Sequence, residues 1–184
     1  MAATAEKRLN VDEFLSWANG LEGNWELYDG IPVMMSPERA GHTATKFYAA
    51  MALHNAIHRA SVPCQAYPEG MTIRIAANRA FVPDALVVCP GLPVDVIAIS
   101  NPLIVVEVLS PSTLSYDHGI KLEGYFSLPS LAHYLILDAH RRVVIHHARG
   151  REGVIETRIL HEGRLRLDPP GLEVAVSELF ASAD

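Results

Sequence analysis

The spacing of apolar positions changes along the chain, and that change predicts the order of its elements. Asn10 stands where a side-chain cap would open a short helix over Val11 to Ala18, with Phe14, Leu15 and Trp17 as apolar contacts. Two short strands, Trp25 to Tyr28 and Ile31 to Met35, flank Asp29-Gly30, a pair suited to a tight hairpin turn. Ser36-Pro37 reads as the cap and first-turn proline of a longer helix reaching about Ala60, with Ala40, Ala44, Phe47, Met51 and Ile57 near one side. From Gln65 onward the pattern turns to strands: Met71 to Ala76 alternates, whereas Ala85 to Cys89 and Leu103 to Leu109 are short apolar runs bounded by Pro, Gly or Asn. An amphipathic helix is expected from about Leu114 to Leu128, ended by Pro129. Strand-like segments at His133 to Leu137, Arg142 to Ala148 and Val154 to Leu160, then a closing LEVAVSELF, complete the chain.

Elements in this order imply an α/β or α+β fold, a mixed sheet flanked by helices. No internal repeat, linker or low-complexity tract divides the chain, and its 184 residues with 49% apolar content suit one domain over residues 1–184. Neither a secretion signal nor a stretch long enough to span a membrane is evident, which implies a cytoplasmic protein. Cys64 and Cys89 lack zinc-type or CxxC spacing, so neither a disulfide nor a zinc site is expected of them.

A formal net charge of −6 argues against coating nucleic acid by electrostatics alone, while leaving room for an enzyme that meets DNA locally. Arg141, Arg142, Arg149, Arg151, Arg164 and Arg166 gather late in the chain, where they read as solvated ends of hairpin strands rather than a phosphate track.

Candidate chemistry lies in acids placed inside apolar strands. An ionised carboxylate in a dry interior is costly unless something pairs with it, and Glu107 sits in the middle of the run Leu103 to Leu109. With a side-chain period of two, Leu103, Val105, Glu107 and Leu109 share one face. Asp84 opens another buried run directly after Pro83. If the two strands are neighbours, these acids meet at adjoining strand ends. Two carboxylates so close repel unless one is protonated or a cation lies between them, and magnesium takes such oxygen ligands together with water and phosphate. The alternative is structural, with Asp84 capping a turn and Glu107 paired to an arginine. Other chemistries find no local support. His54 and His58 in HNAIH lack the glutamate of HExxH, and no GxGxxG, Walker loop or GxSxG occurs.

Taken in order, WELYDGIPVMMSP, a helix carrying His42, VPDALVV, IVVEVLSPST, DHGIKLEGY and HYLILD resemble the Uma-type family of putative restriction endonucleases, formerly a domain of unknown function, within the PD-(D/E)XK nuclease superfamily. The similarity runs from about Val11 to Phe180. It implies a restriction-endonuclease-like core, a central four-stranded mixed sheet flanked by helices, to which this chain adds an N-terminal β-hairpin and extra C-terminal strands. It also implies metal-dependent cleavage of DNA phosphodiesters. Carried over residue by residue, Asp84 and Glu107 would be catalytic ligands of magnesium, with manganese as a substitute.

One position departs from the superfamily pattern: its lysine stands two residues beyond the glutamate, and here that place is Leu109. Lys121 on the following helix matches the family's migrated lysine, and the chain has three lysines against twelve arginines from which to choose. A lysine can shift its pKa and position water, whereas arginine stays protonated. The other reading of Lys121 is a surface residue paired with Asp117. Glu26 and His42 recur in the family pattern as accessory groups at the edge of the site. Ser110, Ser112 and Thr113 are expected to cap the helix that carries Lys121, and Tyr125 to pack in the core. Cutting both strands of a duplex favours a two-fold homodimer.

Overall fold

The computed structural model describes residues 8–109 and 117–181, with residues 117 and 118 described by their backbone alone. The chain opens on a reciprocal cap. The Asn10 side chain accepts the Glu13 N–H (2.9 Å) while the Glu13 carboxylate accepts the Asn10 N–H (3.0 Å), and α1 (Val11–Ala18) follows. Then come β1 (Trp25–Tyr28), β2 (Ile31–Met34), α2 (Ala40–Ala60), β3 (Gln65–Pro68), β4 (Thr72–Ala76), β5 (Arg79–Phe81), β6 (Ala85–Val88), β7 (Ala98–Ile99) and β8 (Ile104–Val108). After α3 (Asp117–Phe126) come β9 (His133–Asp138), β10 (Val143–Arg149), β11 (Ile155–Leu160), β12 (Arg164–Leu167) and β13 (Leu172–Ala175).

Six strands form the central sheet in the order β11-β10-β9-β8-β6-β3, with β8 and β9 parallel and every other neighbour antiparallel. A second sheet, β2-β1-β5-β4-β7, grows out of the N-terminal hairpin, and β12-β13 form a separate hairpin. This mixed α+β architecture is a restriction-endonuclease-like fold whose central sheet is wider than the expected four strands. The strands β5 and β7, of three and two residues, are too short to announce themselves in the sequence, and β3 and β12 were not singled out.

Two apolar layers enclose the central sheet. On one face Ala85, Val87, Ile104, Val106, Leu135 and Leu137 pack against Ala49, Leu53 and Ala56 of α2 and against Leu165, Leu172 and Val174 of the C-terminal hairpin. On the other, Leu86, Val88, Val105, Tyr134 and Ile136 meet Tyr125 of α3 with Ile73 and Phe81 of the second sheet. Strands covered on both sides read as unbroken apolar runs, which is why β6, β8 and β9 showed no alternation.

Two expectations are corrected. The long helix starts at Ala40, after Arg39 and without a side-chain cap, and its buried stripe is Thr45, Lys46, Ala49, Ala52, Leu53, Ala56 and Ile57. Phe47 and Met51, placed on the inner side by sequence, are 57% and 40% exposed. The alanines face inward because a helix lying close over a sheet has room for small side chains there. The cysteines are also joined: antiparallel pairing of Gln65 with Val88 sets Cys64 opposite Cys89, Cα to Cα 4.2 Å, in a disulfide. Strand register creates that pair across 25 residues, and no spacing motif could show it.

Candidate active site

Antiparallel pairing of Ala85 with Val106 puts the start of β6 beside the end of β8, so Asp84 and Glu107 come to the same end of the central sheet. Asp84 is pinned by backbone: its N–H donates to Val106 O (3.1 Å), and its Oδ2 accepts the Val108 N–H (2.5 Å). The other side of Val108 is held from α2, where His42 Nε2 donates to Val108 O (2.8 Å) and Nδ1 lies 3.0 Å from Glu38.

Each acid meets its own lysine. Lys121, one turn into α3, projects between Glu107 and Glu26 with Nζ 3.0 Å from an oxygen of each. The Tyr125 hydroxyl, one turn further, donates to Glu107 Oε1 (2.7 Å). Glu26 is held from β1 by the Val82 N–H (2.9 Å) and by the Tyr28 hydroxyl (2.8 Å). Around Asp84 the cation is Lys46 of α2, whose Nζ lies 2.7 Å from Asp84, 2.9 Å from Glu69, and in an ion pair with Glu38. Pro68 pairs with Ala85 across β3 and β6, which brings Glu69 alongside Asp84. Carboxylate oxygens of Glu38, Glu69 and Asp84 all lie within 4.8 Å of one another.

Residues 11–180 match the Uma2 family, described as "Putative restriction endonuclease". The chain belongs to the Uma2 family. It is 27% identical over 176 residues to an uncharacterized protein, slr1290, of Synechocystis sp., covering 94% of this chain and 92% of that one. A crystal structure of a putative nuclease belonging to DUF820 from Anabaena variabilis shares the fold with a TM-score of 0.69 at 17% identity, over 94% of this chain and 97% of that one.

In this member of the Uma2 family the electrostatics follow from counting charges. Five carboxylates (Glu26, Glu38, Glu69, Asp84 and Glu107) share the ammonium groups of Lys46 and Lys121. Burial, which outweighs the opposing pull of Lys121 and is reinforced by the charges of Asp84 and Glu26, leaves the Glu107 carboxyl raised to about 8. Burial likewise raises Asp84, against the opposing pull of Lys46 and the Val108 hydrogen bond. The ammonium of Lys46 loses solvation, yet facing Asp84 holds its pKa well above the ordinary lysine value, and Lys121 is held up in the same way by Glu107 and Glu26. Tyr125 is raised by burial and by Glu107.

Asp84, Glu107, Lys121, Glu26 and His42 therefore assemble at one end of the sheet. No arginine pairs with Glu107 among the described residues, so the proposed structural partner is replaced by Lys121. Asp117, the other suggested partner of Lys121, and Ser110, Ser112 and Thr113, which were expected to cap its helix, lie outside the described side chains. Sequence reasoning missed Lys46, Glu38 and Glu69, and it assigned Tyr125 to packing alone. One signal was available for Lys46: it continues the stripe Ala49, Leu53, Ala56 at helical spacing, an odd place for a charge unless it is paired. Most of the late arginines are indeed solvent-facing, but Arg149 reaches the carbonyls of Phe126, Leu128 and Leu131 behind the end of α3.

Proposed function

We propose that the chain is a magnesium-dependent endonuclease, with manganese as a working substitute, that hydrolyses DNA phosphodiester bonds. Asp84 and Glu107 would hold the metal, Lys121 would be the amine acting on the attacking water, and Glu26 and His42 would be accessory. Family membership supports this reading, and one observation carries it: carboxylates outnumber ammonium groups at a single sheet end, and the surplus charge can be relieved by protons or by a cation. The donor set fits a hard ion, since the clustered ligand atoms of Glu38, Glu69 and Asp84 are all carboxylate oxygens, the kind Glu107 also offers. A divalent ion bound there would polarise a scissile phosphate and lower the pKa of a bound water.

The chain's own groups do the rest. Tyr125 fixes the direction of Glu107 through its hydroxyl, and Glu26 steers the Lys121 ammonium to stand beside that carboxylate. From there Lys121 can orient a water or balance charge developing on a phosphate oxygen. Val108, tied to Asp84 on one side and His42 on the other, couples the strand end to α2. Two copies related by a two-fold axis would suit the two strands of a duplex.

Nicking of supercoiled plasmid with magnesium or manganese, wild type beside Asp84→Ala and Glu107→Ala, tests the proposal. Both variants should lose activity by at least ~100-fold, and activity that survives both substitutions sinks it. A second reading, a non-catalytic member that holds nucleic acid or a protein, is favoured by a specific observation: Lys46 and Lys121 already occupy the positions facing Asp84 and Glu107. On that reading magnesium leaves thermal stability unchanged and DNA binding is independent of metal.

A further inference from the structure

Strand β11 ends the central sheet, with β10 on one side and no strand on the other among the described residues. An unpaired strand edge is a template for another chain, and proteins that must avoid such pairing shorten the edge or place proline or like charges on it. Other edges here carry those features. β2 contains Pro32, β3 ends in Pro68, β7 has two residues, and β12 presents Arg164 and Arg166. By contrast, β11 has six residues, no proline, and a nearly fully exposed course along which Ile155 is 37% and Ile159 64% exposed.

Its sequence, Ile155-Glu156-Thr157-Arg158-Ile159, is self-complementary about Thr157, with like apolar residues at the ends and opposite charges beside the centre. We propose that β11 pairs antiparallel with β11 of a second copy of this chain, on a two-fold axis passing through Thr157 and normal to the sheet. Such an axis keeps each sheet face on its own side, so only registers centred on a residue are available. Centring on Glu156 opposes two glutamates and centring on Arg158 opposes two arginines. Centring on Thr157 sets Glu156 against the partner's Arg158 twice, and Ile155 against the partner's Ile159 twice. Directly opposed residues of unlike charge, and apolar pairs, are the contacts that stabilise antiparallel strands.

The faces agree with this register. Pairing of β10 with β11 matches Ile145 to Ile159, His147 to Thr157 and Arg149 to Ile155, so Ile155, Thr157 and Ile159 share one face, on which Ile159 continues the apolar position of Ile145. Glu156 and Arg158 lie on the opposite face, in line with Ala148 and His146, and within one chain they approach each other only at 3.6 Å while remaining 57% and 69% exposed. Main-chain hydrogen bonds along the strand would supply the affinity and the charge pairs the register.

The inference specifies the surface of the homodimer suggested above, and its test uses neither metal nor nucleic acid, so it can fail without touching the nuclease reading. Sedimentation equilibrium of the full chain should show a dimer. Glu156→Arg or Arg158→Glu alone, each opposing like charges twice, should weaken it by about tenfold or more. Mixing the two variants should restore dimer, because each then supplies the charges the other lacks. Thr157→Cys should cross-link to a covalent dimer on mild oxidation, whereas Arg164→Cys should not. Both charge reversals are on exposed side chains, and circular dichroism verifies that the variants remain folded. A wild type that stays monomeric at all concentrations overturns the proposal. So does a dimer indifferent to both charge reversals, or one in which Thr157→Cys fails to cross-link.

Discussion

Replacing Lys46 by methionine keeps the apolar stem and most of the volume while deleting the charge that Asp84 faces at 2.7 Å. Asp84 is left with the Val108 N–H as its remaining described partner, in a position only 2% exposed. Removing one member of a buried ion pair costs about 3–5 kcal/mol, because the other charge stays behind uncompensated. The lower end applies here, since Glu38 and Glu69 stand at the solvent rim, with side chains 23% and 26% exposed, and water takes over their share. For a chain of this size, ~3 kcal/mol lowers the melting temperature by roughly 6–12 °C.

Calorimetry in EDTA at neutral pH measures that drop, and adding Asp84→Asn to Lys46→Met should recover at least half of it, because the stranded charge is then gone. A divalent ion should do the same work by filling the place of the amine. At a manganese concentration one hundred times the variant's dissociation constant, linkage returns about 2.7 kcal/mol to the variant, and the wild type, whose ammonium holds the same place and weakens binding of the ion, should gain less at that same concentration. A variant melting within about 2 °C of wild type in EDTA would refute the reasoning that this ammonium compensates a buried acid. Equal manganese shifts in both proteins would refute the idea that amine and metal share one place.

Glu107 makes the chain's stability depend on pH with a definite sign. Its folded pKa of about 8 lies above the ordinary 4.5, so the folded state holds a proton that the unfolded chain has released; the contribution is complete below about 4.5 and lost as pH rises through about 8. The Glu107 contribution should make the wild-type stability, read from melting curves, fall between about pH 4.5 and 8, by at most ~1.4 kcal/mol per pH unit, and level off above that, and Glu107→Gln should flatten that slope. The Cys64–Cys89 bridge, closing a separation of 25 residues, should contribute ~3.5 kcal/mol on the loop-entropy account. Melting with and without a reductant checks this, and Cys64→Ser with Cys89→Ser should lose the reductant effect.

How far the site was legible depends on whether each residue's signal was local. Glu107 and Asp84 stood out because a charge inside an apolar run is costly, and the run itself declared that both faces of the strand are covered. Lys121 came from the family pattern, and its distance from Glu107, fourteen residues along the chain, carries no geometric information of its own. Lys46 was passed over because, of Ala40, Ala44, Phe47, Met51 and Ile57, the side expected of helix α2, only Ile57 is buried, whereas the buried stripe runs through Lys46, Ala49, Leu53 and Ala56, small residues that a close helix-sheet contact selects. Tyr125 was rightly placed in the core, but its hydroxyl had no visible partner until α3 was laid over β8.

What the sequence determined by itself was the sequence of elements, the burial of β6, β8 and β9, and the presence of acids that burial would have to compensate. Those follow from side-chain period and from the cost of transferring charge out of water, which act within a few residues. Only the tertiary structure decided which cations answer those acids, that Glu38 and Glu69 join Asp84, and that Cys64 meets Cys89. Each of these depends on strand order and register, where a shift of one residue reverses every side chain's face, and nothing local in the chain encodes that choice.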